Sequence, residues 1–141
     1  MGDISKNFSL NEFEHSDTAE SRGIDNTIKD SKIKSNVEAL VKKVLQPLRD
    51  EYGPIRINSG YRCKQLNELV GGAPTSMHSY GMAADCGVKD PYLLATIAIF
   101  LNLPFDQCIL YPTFVHFSHV SDRENRRQVM YSSSWKGKRD L

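Results

Sequence analysis

His78 and Asp85 stand seven residues apart in Ser76-Met77-His78-Ser79-Tyr80-Gly81-Met82-Ala83-Ala84-Asp85, and His116 follows in Tyr111-Pro112-Thr113-Phe114-Val115-His116-Phe117-Ser118. Two imidazoles and one carboxylate are the ligand set of a catalytic zinc ion, because three protein donors leave the fourth position open for water. A structural zinc usually takes four protein donors, so the set favours catalysis. The chain has only four histidines, and two of them fall into this arrangement. A histidine taken alone is more often a packed core side chain, but the surroundings here argue against that. His78 lies in a glycine-rich stretch, where specific partners rather than packing hold an imidazole. Asp85 interrupts an apolar strand pattern (Met82, Ala83, Ala84, Cys86, Val88), and His116 interrupts the run from Phe114 to Val120. Polar groups inserted into buried strands need partners, and one shared metal would satisfy all three.

Several elements must position these groups. Ser9 followed by Glu12 is a capping-box pattern that predicts a short helix, with acidic loop residues after it. Asp30 or Ser31 can cap the main helix, in which Ile33, Val37, Leu40, Val41, Val44, Leu45 and Leu48 recur at helical spacing. Pro47 is expected to bend its last turn, and Tyr52-Gly53-Pro54 to end it. Ile55-Arg56-Ile57 alternates like a half-buried strand, and Asn58 to Arg62 turn the chain into a helix near residues 63–70, closed by Gly71-Gly72. Residues 71–81 read as a loop, and residues 82–88 as the strand carrying Asp85. Asp90-Pro91 opens a helix through Leu101 that stops before Pro104. Residues 107–111 and 114–120 read as strands joined at Pro112, and residues 127–131 as a further one. The expected fold is α+β: a small, mostly antiparallel sheet flanked by helices, with the metal site on the sheet.

A chain of 141 residues fits one domain, with the core over residues 8–120 and a basic tail at 123–141. The tail holds six bases against two acids, which reads as a solvated, partly frayed end; Trp135 could anchor it or form a wall-binding patch. A net charge of +1 points to neither nucleic acid nor a membrane surface. The run from Leu93 to Leu101 is too short to span a bilayer. Three cysteines (Cys63, Cys86, Cys108) argue for reduced, mostly buried thiols. Cys63 and Cys86 neighbour the site in sequence, but a thiol nucleophile explains fewer residues than zinc does. The first twenty residues lack the pattern of a secretory signal, which predicts synthesis in the cytoplasm. The spacing is silent on oligomeric state.

Ser-x-His-x-x-Gly-x-Ala-x-Asp with a later Val-His resembles the zinc D-alanyl-D-alanine carboxypeptidases and related peptidoglycan endopeptidases, the LAS-type metallopeptidases. Ser59-Gly60-Tyr61-Arg62, Asn67 with Val70-Gly71-Gly72, and Phe105-Asp106-Gln107 match the same family in order, over roughly residues 8–120. The chain is also similar to the short single-domain versions encoded by bacterial viruses. The resemblance implies that His78, Asp85 and His116 bind Zn2+, that Arg62 reaches the scissile carbonyl or oxyanion, and that Ser76 hydrogen-bonds the substrate backbone. Gly81 and Ala83 would be small so that loop and strand approach closely. The implied substrate is a peptidoglycan stem peptide or cross-link, reached at phage lysis or entry or with a virion.

The pattern departs from the family at one point. A carboxylate shortly before the last histidine normally takes the proton from the attacking water, and residues 107–116 contain none. Tyr111 or Thr113 occupies that slot. A phenol is a poor base at neutral pH but a fair donor to an oxyanion. His119 should face the opposite side of its strand from His116. Glu68 is a remote substitute, and Asp106 reads as a structural acceptor. Two functions follow: a zinc peptidase on peptidoglycan, or a zinc-containing binding module on the same fold that has lost hydrolysis.

Overall fold

The structure, a computed structural model, describes residues 2–141. Helix α1 (Leu10–Glu14) begins where expected: the Ser9 N–H donates to Glu12 Oε2 at 2.6 Å. The stretch expected as an acidic loop contains a second helix, α2 (Asp17–Arg22). Ser16 Oγ accepts from the Ala19 N–H at one end, and Gly23 closes the other at φ 66°. Six residues are too few for apolar periodicity to register, so only the caps carry this signal.

The main helix runs as α3 (Ser31–Leu40), one wide π turn (Val41–Leu45) and α4 (Gln46–Tyr52). Asp30 is the cap, accepting from the Lys32 and Ile33 N–H groups. Pro47 has no N–H, and its ring presses on the carbonyl four residues back. The chain answers with the wide turn, in which the Gln46 N–H reaches back five residues to the Val41 carbonyl. Val37, Leu40, Val41, Val44, Leu45 and Leu48 are buried, as the spacing predicts.

The described residues form five strands, β1 (Arg56–Ser59), β2 (Ala83–Gly87), β3 (Gln107–Leu110), β4 (Phe114–Ser118) and β5 (Gln128–Tyr131). Their order is β1-β2-β4-β3-β5, antiparallel throughout except that β5 runs parallel to β3. The expected α+β class and mostly antiparallel sheet are what the chain adopts. Because side chains alternate along a strand, Ala84, Cys86, Cys108, Leu110, Val115 and Phe117 face the core. The main helix, α5 (Lys64–Leu69) and α6 (Pro91–Phe100) complete the structure, and α6 packs on β3 and β4. Asp90 caps α6, accepting from the Leu93 N–H at 3.0 Å. Among the described residues no helix is long and apolar enough to cross a membrane.

The basic end is not a frayed tail. Arg123 and Arg126 both grip Asp106, and Arg127 donates to the Leu103 and Ile99 carbonyls at the end of α6. Trp135 is 8% exposed, with Nε1–H donating to the Lys138 carbonyl. Arg123, Arg126 and Arg127 stand here because Asp106 and the end of α6 present carboxylate and carbonyl acceptors to them, while Lys136 and Lys138 are exposed.

Candidate metal centre

Asp85 and His116 are direct partners across β2 and β4, so both side chains leave the same face of the sheet. His116 Nδ1 lies 2.8 Å from Asp85 Oδ1. His78 arrives from a 3-10 turn, Met77–Tyr80, within the segment expected as a loop, and its Nε2 lies 3.4 Å from the same oxygen. One donor atom from each of the three lies within 4.8 Å of the others. The side chains are 5% (His78), 19% (Asp85) and 16% (His116) exposed, so the cluster is shielded yet open on one side.

The turn that carries His78 is over-determined. Ser76 Oγ accepts from the His78 N–H, and the Arg62 N–H donates to the His78 carbonyl. Gly81 ends the turn at φ 70°, and a Cβ there would come within 2.7 Å of the Ile33 carbonyl oxygen, so only glycine fits. Asn36, buried on α3, donates to the Tyr80 carbonyl at 2.9 Å. The ring itself is set by Gly60, whose carbonyl oxygen lies 2.7 Å from His78 Nδ1. A nitrogen facing a carbonyl must carry the proton, which leaves the Nε2 lone pair turned towards Asp85 and His116. A backbone carbonyl behind a ligating imidazole is the usual means of fixing a metal-binding tautomer.

Burial would raise the Asp85 carboxyl, but the two imidazoles beside it, His116 at hydrogen-bonding distance, outweigh burial and hold the group well below the usual carboxylate range. The site therefore presents an ionised carboxylate, one imidazole with its lone pair directed inwards and a second sharing a proton with Asp85. A divalent cation would take that proton's place. Two nitrogens and one carboxylate oxygen, with no fourth protein donor in the cluster among the described residues, fit Zn2+ in an open tetrahedral site.

Arg62 follows β1 on a loop stapled by Asn26, which donates to the Glu14 and Tyr61 carbonyls and accepts from the Cys63 N–H. Its Nη2 donates to Ser76 Oγ at 3.4 Å, while its buried Nε has no partner among the described residues. Burial lowers the affinity of the guanidinium for its proton, and Asp85 partly offsets this. Arg62 also lines a cleft of about 270 Å³ beside β1. Tyr111 sits just past β3, its ring stacked on Phe114 at 4.3 Å between centroids. The fold thus brings His78, Asp85 and His116 together, with Arg62 hydrogen-bonded to Ser76 and Tyr111 on the hairpin beside His116.

The substitute bases considered from the sequence lie elsewhere. His119 is buried and outside the donor cluster, its N–H donating to the Met82 carbonyl, and burial lowers its pKa. Glu68 lines a separate cavity of about 340 Å³ with Lys64 and Asn67. Asp106 is saturated by arginines. Cys86 and Cys108 are fully buried, and burial pushes the Cys108 thiol up to about 12, so neither offers a thiolate. Sequence reasoning picked out Gly60 only as part of a motif and missed its carbonyl, and it missed Asn26 and Asn36 altogether. The one available signal was Asn36, a polar residue interrupting the apolar face of α3; a backbone carbonyl leaves no mark in sequence.

The profile of the Peptidase M15 family matches residues 6–121. The zinc D-Ala-D-Ala carboxypeptidase of Streptomyces albus G is 35% identical over 86 residues, which are 58% of this chain and 34% of that protein. The chain spans about a third of the length of the curated relative it matches.

Proposed function

The chain belongs to the Peptidase M15 family, and from that premise we propose that it is a zinc-dependent peptidase that cuts a peptide bond in peptidoglycan stem peptides or cross-links. The observation that carries the reading is the triangle of His78, Asp85 and His116 with the His78 tautomer set by Gly60. When bound, zinc polarises a carbonyl and lowers the pKa of a water towards about 7. The residues of the chain supply the rest. His78 and His116 donate lone pairs, and Asp85 remains ionised to compensate the cation. Arg62, always charged and directional, offers N–H groups to the substrate carbonyl and to the oxyanion that forms from it. Ser76 Oγ already accepts from Arg62 and from the His78 N–H, so its own proton is left to donate to a substrate backbone carbonyl. Tyr111 can donate to the oxyanion but not accept the water's proton.

General acid–base help is worth about 10²–10⁴-fold, so a site without a carboxylate in that slot is a slow enzyme rather than an inert one. The stacked Tyr111 in that position favours a second reading, a zinc-containing binding module that grips a peptide carboxylate without cutting. The two readings separate in one experiment: mass spectrometry of purified muropeptides after incubation with zinc-loaded protein, with Tyr111→Glu and His116→Ala alongside. A peptidase removes a terminal alanine or a cross-link, gains rate in Tyr111→Glu and loses everything in His116→Ala. Intact muropeptides with one zinc per chain, and cleavage appearing only in Tyr111→Glu, would establish the binding module. The proposed setting is the bacterial wall during phage lysis or entry; purified sacculi that release no fragments would count against it.

A further inference from the structure

The metal-bearing face of the sheet is uneven. Across the strands, Ser59, Asp85, His116, Ile109 and Met130 form one row of backbone partners. Towards β1 the row ends in the 270 Å³ cleft, whose lining includes Arg56, Asn58, Ser59 and Arg62. Towards β5 it is apolar. Ile109 is half-buried, and Met130 is 39% exposed. The stacked rings of Tyr111 and Phe114 stand one row over on the same face, since Phe114 precedes His116 by two residues. Gln107 Nε2 donates to Gln128 Oε1 at 2.9 Å and lies 3.6 Å from Met130 Sδ, bordering the strip on its far side. The apolar residues of β3 and β4 that need covering, Cys108, Leu110, Val115 and Phe117, are fully buried on the opposite face. The Ile109–Met130 strip owes nothing to the core.

We infer that this strip is the subsite for the substrate residues on the amino side of the scissile bond, and that it selects alkyl or methyl-bearing side chains there. The inference rests on the peptidase reading. Two guanidiniums on the β1 side draw the carboxylate end of a peptide, so the amino side passes over His116 towards β5. Strands are about 4.8 Å apart, which makes the path from β4 across β3 to β5 about 10 Å, the span of about three extended residues. Continuity with the metal row gives the strip its occupant: a chain held over His116 and running towards β5 crosses Ile109 and then Met130.

The test compares two peptides with identical carboxyl ends, N-acetylated D-Ala-D-Ala and a pentapeptide ending in the same two residues with alkyl side chains upstream. With zinc-loaded protein, the longer peptide should have a KM lower by about 10-fold, the worth of a few buried methyl groups. In Met130→Glu that advantage should shrink to less than about 2-fold, and Met130→Leu should keep it. An unchanged ratio in Met130→Glu overturns the strip while leaving the peptidase intact. If neither peptide is cut, cleavage of a terminal alanine fails, and intact cross-linked muropeptides under the same conditions make the peptidase reading fail with it; the same ratio is then read as Kd by titration calorimetry on the zinc-loaded protein, and equal Kd values for the two peptides overturn the strip.

Discussion

Two aspartates organise the polar chemistry of this chain, and they differ in how completely they are satisfied. Asp106 is buried and takes both guanidiniums of Arg123 and Arg126, together with the Arg126 N–H, on its two oxygens. Asp85 is more open, 19% exposed against 2%, and its partners are two imidazoles addressing the same oxygen. Both carboxyls are held below the usual range. For Asp106 the leading cause is the hydrogen bond from Arg126; for Asp85 burial pushes the other way and the histidines prevail. A saturated cluster has no valence left for a ligand and fastens β5 to the fold. A cluster of imidazoles around one carboxylate is completed by a cation. Charge saturation, together with the deeper burial of Asp106, separates the structural aspartate from the functional one.

The sharpest way to break this comparison is to remove one donor from each cluster. His116→Ala should lose bound metal, read by elemental analysis, and its cleavage should fall by at least about 10³-fold, because no activated water remains. Asp106→Ala should keep one metal per chain. If Asp106→Ala lost its metal, the division of roles would be wrong.

Asp106→Ala should instead lose about 2–3 kcal/mol of stability in denaturant titration, since it removes a buried hydrogen-bonded carboxylate. Arg62→Ala should cost about 10²-fold in kcat with metal content retained, as expected for one lost oxyanion donor. A smaller effect concerns pH. The folded Asp106 is depressed below its unfolded value, so its stabilisation is present above the ordinary carboxylate range and is lost as pH falls through the folded pKa. The stability gap between the native protein and Asp106→Ala should therefore be full at neutral pH and close towards strong acid. A gap that stayed constant to pH 2 would contradict the ion-pair account.

Much of the fold was legible because its signals are local. Ile33 to Leu48 announced the long helix, Asp90-Pro91 announced α6, and the apolar runs that Asp85 and His116 interrupt announced strands. The π turn was half legible: Pro47 signalled a disturbance, but whether it became a bend or a wide turn depended on packing the apolar face. Helix α2 was hidden by its length. The basic end was misread because its charges looked solvated until Asp106 and the end of α6 were brought beneath them. The absent carboxylate was plain in residues 107–116, and among the described residues no other group of the donor types joins the cluster.

The sequence by itself determined which donors exist, the period of each element and the chemistry the donors could do, since residue type and spacing are properties of a short stretch of chain. Only the tertiary structure decided that Asp85 and His116 are cross-strand partners, that the carbonyl of Gly60 sets the His78 tautomer, and that Met130 on β5 extends the metal row. Strand order and register are settled by burying the common apolar face of five strands at once, and no single stretch encodes that.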